Sequence, residues 1–232
     1  MEDLQNVDLA KLDPEDLESF DATLEELTKR ETSKIARSSL LEFCIKMNPD
    51  YKIGRHHKRL ASLLEDMAFN RKDRIAVSIP PRHGKSFLVS VYFPAWFLGN
   101  FPDKKVLMVS HTTDLAVDFG RKVRNLVDQE MYKEIFPTVT LAADSKSAGR
   151  WNTNSGGEYF ACGVGSALAG RGADFLIVDD PFSEQDILNG NFEVFQKAYE
   201  WFTFGARTRL MPGGRMAIVH TRWHPNDLIG MM

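Results

Sequence analysis

Seven consecutive residues carry the strongest chemical signal in the chain: Pro80-Pro81-Arg82-His83-Gly84-Lys85-Ser86. A lysine supplies a point charge, the serine beside it a hydroxyl for Mg²⁺, and the glycine lets backbone come close to a phosphate. Such a turn works where successive backbone N–H groups and a helix N-terminus face the β- and γ-phosphates of a nucleotide. Pro81, Arg82, His83, Gly84, Lys85 and Ser86 are therefore the expected nucleotide-binding residues. The match to the Walker A pattern G-x-x-x-x-G-K-[ST] is incomplete, because Ile79 stands where its first glycine belongs. Arg82, inside the turn, is expected to stabilise charge on the γ-phosphate during catalysis.

A second signal is Phe175-Leu176-Ile177-Val178-Asp179-Asp180, four apolar residues that end in two acids. A strand of that composition is buried, so the acids emerge at its carboxyl end. Asp179 is then placed to complete the Mg²⁺ shell with Ser86, as a Walker B acid does. Asp180 is placed to orient or deprotonate the attacking water, with Glu184 as an alternative because aspartate is short for that task.

The surrounding pattern must position these groups. Apolar, β-branched runs at 74–80, 105–110, 158–163, 174–179 and 215–221 predict strands. Helical spacing predicts helices over 32–47, 56–69, 85–98, 112–129 and 192–210. Short buried strands alternating with helices imply an α/β fold, a mostly parallel sheet with helices on both faces. Ligands bind such sheets beyond the carboxyl ends of the strands, where both motifs fall. Three regions are expected: an acidic arm or helix over 1–31, a helical lid or linker over 32–70, and a nucleotide-hydrolysing core over 71–232.

Composition narrows the class. At 43% hydrophobic and 26% charged residues, most of the chain should be globular. No apolar run is long enough to span a membrane, and the N-terminus lacks a signal-peptide layout. The two cysteines, Cys44 and Cys162, fit a reducing cytosol and exclude a disulfide scaffold. Residues 1–31 hold eleven acidic and three basic side chains, which leaves the rest of a chain with 32 acids and 29 bases net positive. A moderately basic body suits a polyanion partner, though weakly.

Two longer stretches narrow the family: Gly163–Pro181, running from a glycine-rich turn into the acidic pair, and Thr208–Leu228, ending in Thr-Arg-Trp-His-Pro-Asn-Asp-Leu. Together with PPRHGKS, they make the chain from about His56 onward resemble the ATPase half of large terminase subunits of tailed phages and prophages. That resemblance implies a P-loop NTPase of the ASCE/RecA-like kind, hydrolysing ATP with Mg²⁺ to move viral double-stranded DNA into a procapsid. It implies a ring of copies on the portal protein, a small terminase subunit as partner, and action in the host cytoplasm with no membrane. Thr221 would be a coupling residue that senses the γ-phosphate. Arg171, between two glycines, would be an arginine finger inserted into a neighbour's site, though an arginine bonded to local carbonyls fits the sequence nearly as well. His56 and His57 lie where relatives contact adenine. An RNase H-like nuclease is expected beyond residue 232, with no nuclease activity in these residues. A helicase-like DNA-dependent ATPase and a non-hydrolysing nucleotide-binding assembly module remain alternatives.

Overall fold

The computed structural model describes residues 13–188, 190 and 192–232. The first twelve residues of the acidic arm lie outside that range. Helix α1 (Pro14–Ser38) starts where Asp13 accepts hydrogen bonds from the Glu15 and Asp16 amides and a proline occupies the first turn. It precedes α2 (Leu40–Met47) and α3 (Arg55–Ala68). The single helix expected over 32–47 is thus two helices, the first beginning well upstream. Ser39 adopts extended backbone, caps α2 by accepting from the Glu42 amide, and leaves the Leu40 N–H to donate to Glu65 Oε1 at 2.7 Å. Those side-chain bonds replace the helical ones, so the break follows from local chemistry.

The sheet has seven strands: β1 (Arg74–Ser78), β2 (Lys105–Ser110), β3 (Leu141–Lys146), β4 (Arg150–Thr153), β5 (Glu158–Gly163), β6 (Ala173–Asp179) and β7 (Leu210–His220). Their spatial order is β1-β7-β6-β2-β5-β4-β3. The first five in that order are parallel, whereas β4 and β3 run antiparallel at the far edge. Sequence reading missed this edge pair, because LAADSK and RWNT are too polar to read as buried strands.

The central strands read as continuous apolar runs because alternate residues enter two cores. Phe175 and Ile177 join the cluster built with Leu64, Trp96 and Val123, while Leu176 and Val178 join Phe182, Phe195 and Phe202 on the opposite face. The helix expected over 85–98 is a π-helical turn (Phe87–Tyr92) that leads into α4 (Phe93–Asn100). Pro94 has no N–H to offer the Ser90 carbonyl, and the widened turn accommodates that loss. Beyond β2 come α5 (Thr113–Val127) and α6 (Glu130–Ile135); beyond β6 come α7 (Glu184–Leu188) and α8 (Glu193–Glu200). The helix expected over 192–210 widens after Glu200 into a π turn and then tightens into a 3-10 turn, and β7 starts at Leu210, five residues before the expected strand. Among the described residues, no helix is long and apolar enough to cross a membrane.

Candidate functional site

The parallel register brings the carboxyl ends of four strands level. Ser78 pairs with His220, Asp179 with Val219, and Ser110 with Asp179. Strand β7 separates β1 from β6, yet the turn after β1 reaches across it: Lys85 Nζ lies 2.7 Å from Asp180 Oδ2. Lys85 is 5% exposed. A lysine that far from water is stable as a cation only with such a partner.

The turn itself is held in an uncommon backbone form. Arg82 has φ 60° and Gly84 φ 74°, both in the left-handed region. At Gly84 a Cβ would sit 2.6 Å from His57 Nε2, so space and torsion both demand glycine. At Arg82 the same torsion is unfavourable for a side chain, and its retention marks a turn over-determined by its neighbours. One such neighbour bond is internal, from His83 Nδ1–H to the Pro81 carbonyl at 2.8 Å. His56 and His57, at the start of α3, each place Nε2 2.9 Å from the His83 carbonyl oxygen. Burial and the adjacent His56 lower the pKa of His57, which favours its neutral ring.

Asp179 and Asp180 have different environments. Asp179 is 1% exposed and accepts from Ser90 Oγ at 2.6 Å through Oδ2, while its buried Oδ1 completes no hydrogen bond. Burial, with some repulsion from Asp180, raises its pKa to about 6; the Ser90 and Ser86 hydroxyls and Lys85 pull the other way. Asp180 has φ 41°, and its amide donates to the Val219 carbonyl. Its Oδ1 accepts from the Thr221 amide at 3.0 Å, and the Thr221 hydroxyl donates to the Ile79 carbonyl at 3.3 Å. Thr221 thus ties the acid after β6 to the residue that enters the turn after β1.

The other expected site residues stand apart. Arg82 and Glu184 are exposed and, among the described residues, hold no partner. Arg171 is engaged locally, donating to Glu158 Oε1 at 3.1 Å with its guanidinium 4.3 Å over the Phe160 ring. Its contacts are therefore a carboxylate and a ring rather than carbonyls.

Several groups escaped the sequence reading. Ser90 was signalled only by being the lone serine in the apolar run Phe87–Leu98. His111, just after β2, reaches Asp186 at 3.2 Å, and Asp186 also accepts from Ser183. Asp227, 0% exposed, accepts from Arg222 Nε at 2.8 Å and from the amides of Trp223, His224 and Gly230. This arrangement explains why the Thr-Arg-Trp-His-x-x-Asp spacing forms a closed turn. Burial raises the Asp227 pKa, but those donors outweigh it and the net displacement is downward. Its contribution is accordingly full above the ordinary carboxylate range and is lost as pH falls through the lower folded value. Asp227→Ala is expected to cost roughly 3 kcal/mol, since Arg222 and three amides lose their acceptor. Urea denaturation at pH 7 should show the midpoint falling.

Residues 77–189, just under half of the chain, match the family model for the terminase large subunit, T4likevirus-type, N-terminal. Over those residues the chain is similar to the N-terminal part of large terminase subunits. The matched stretch holds the turn after β1 and both acids at the carboxyl end of β6. The fold is similar to the crystal structure of the HK97 bacteriophage large terminase, at 14% identity and a TM-score of 0.51. That similarity covers 78% of this chain and 36% of the HK97 chain, so the residues here span about a third of that protein's length. No curated protein matches the sequence.

Proposed function

We propose that this domain binds ATP with Mg²⁺ beyond the carboxyl ends of β1, β7 and β6 and hydrolyses it to drive double-stranded DNA into a procapsid. The observation that carries this reading is the convergence of Lys85, Asp180 and the unsatisfied Oδ1 of Asp179 from two non-adjacent strands. The turn offers the amides of Arg82–Ser86 to a triphosphate, and the negative phosphates draw Lys85 away from Asp180. Asp180 is then free to accept a proton from a water as that water's oxygen attacks the γ-phosphorus, with ADP as leaving group. Its Thr221 bond keeps the carboxylate in place during the step.

Asp179 and Ser86 fit a divalent cation: the buried oxygen lacks a partner, and the serine hydroxyl is its neighbour. Mg²⁺, when bound, neutralises charge on the β- and γ-phosphates. Mg²⁺ commonly takes one or two protein ligands together with substrate phosphates and waters, and such a shell would suit this pair. Thr221, bonded both to Asp180 and to Ile79, is suited to couple phosphate state to the loop that follows it. Arg82 and Glu184 are free to turn toward the phosphates, and Arg171 could serve a neighbouring copy in a ring only by leaving Glu158. The portal protein, the small terminase subunit, double-stranded DNA and the host cytoplasm complete this reading.

The test is phosphate release from ATP with and without double-stranded DNA at low salt. Turnover stimulated by DNA and reduced at least 100-fold in Lys85→Ala supports the motor. ATP binding with no turnover in the oligomer would instead favour an assembly module, and stimulation by single strands alone a helicase-like ATPase.

A further inference from the structure

His56 and His57 lie close to the turn after β1, with their Nε2 atoms committed to one backbone oxygen. His57 is 7% exposed. The Gly54 amide donates to its Nδ1 at 3.0 Å, so Nδ1 is the acceptor and the ring proton resides on Nε2. That proton is given to the His83 carbonyl at 2.9 Å, and His56 Nε2 meets the same oxygen at 2.9 Å. The two ring centroids lie 4.0 Å apart with their planes tilted by 47°, and together they form a single buttress. In a planar trans peptide the C=O and the following N–H point in opposite directions. Holding the His83 carbonyl on the α3 side therefore aims the Gly84 N–H the other way, away from α3.

We infer that His57, supported by His56, is a positioning residue that orients the 83–84 peptide for phosphate, and that this pair recognises no base. The inference rests on the proposed triphosphate site. It assigns to α3 the task of pre-forming the turn before ligand arrives. It also explains why glycine at 84 must touch His57: the buttress and the turn are in contact.

The experiment compares wild type, His57→Phe, His57→Gln and Lys85→Ala, measuring affinity for ATP, GTP and inorganic tripolyphosphate by competition against a fluorescent ADP analogue. Phe keeps the ring volume and removes both hydrogen bonds; Gln restores a donor near the Nε2 position. His57→Phe should weaken all three ligands by a similar factor, about tenfold for one lost buried hydrogen bond. The ATP-to-GTP ratio should stay unchanged, His57→Gln should recover to within about threefold, and the melting temperature should move little. A shift confined to the ATP-to-GTP ratio would overturn the inference in favour of adenine contact. Unchanged tripolyphosphate affinity in His57→Phe would also overturn it. Failure of wild type to bind any of the three, or Lys85→Ala binding like wild type, would instead remove the triphosphate reading beneath it.

Discussion

Asp180→Asn will reduce ATP hydrolysis by about 10³-fold while leaving nucleotide binding intact or tighter. The two effects separate because Asp180 does two things. Its Oδ2 holds Lys85 at 2.7 Å before any ligand arrives, so ligand must compete with an ion pair from which water is largely excluded on the lysine side. An amide removes that competition and frees the lysine for phosphate. The same amide cannot accept a proton from water, so the chemical step loses its base. Asparagine can still accept the Thr221 amide through its carbonyl oxygen, which preserves the backbone join between the two strand ends. Binding and single-turnover hydrolysis measured on one preparation distinguish the effects. Weaker binding together with unaltered turnover would assign the water-activating role to another group, Glu184 being the next acid along the chain.

Asp179→Asn should produce an unusual pairing: loss of metal-dependent activity with a gain in stability at alkaline pH. The folded pKa, raised to about 6, lies above the ordinary value of 3.8. A raised carboxyl favours the folded state most below its unfolded pKa, and this advantage disappears as pH climbs through the folded value. Each pH unit of displacement corresponds to about 1.4 kcal/mol, so at pH 8 the buried charge costs roughly 3 kcal/mol. Asparagine avoids that charge, offset in part by an amide nitrogen left unpartnered. The melting temperature of the ligand-free domain should rise by about 5 °C or more at pH 8 and by little at pH 4.5. A lower melting temperature at pH 8 would show that the carboxylate is better satisfied than its lone Ser90 bond suggests.

Much of this site was legible because its residues sit in short motifs at strand ends. The strands over 105–110 and 158–163 were read to the residue, and 174–179 to within one, since parallel strands buried on two faces give uninterrupted apolar runs. Lys85 and the Asp179–Asp180 pair followed from the rule that such sheets place ligands beyond their carboxyl ends. Other features depend on contacts between residues distant in sequence. Ser90 reaches Asp179 across 89 positions of sequence, from the π-helical turn before Pro94. His56 and His57 could be placed near the turn, but which atoms they engage required the third dimension. The polar edge pair β3 and β4 lacked the apolar run that marks a buried strand. The helix break at Ser39 was hidden because Glu65, which captures the Leu40 amide, lies 25 residues onward.

The central claim is that Lys85, Ser86 and Asp179 form one pocket for a triphosphate and its metal. Mn²⁺ titration followed by electron paramagnetic resonance, with and without a non-hydrolysable ATP analogue, tests it most directly. The account predicts that Mn²⁺ binds tightly only when the analogue is present. It further predicts that Asp179→Asn loses the metal while Lys85→Ala loses both ligands. Equal Mn²⁺ binding with and without nucleotide, or wild-type behaviour in both variants, would contradict it.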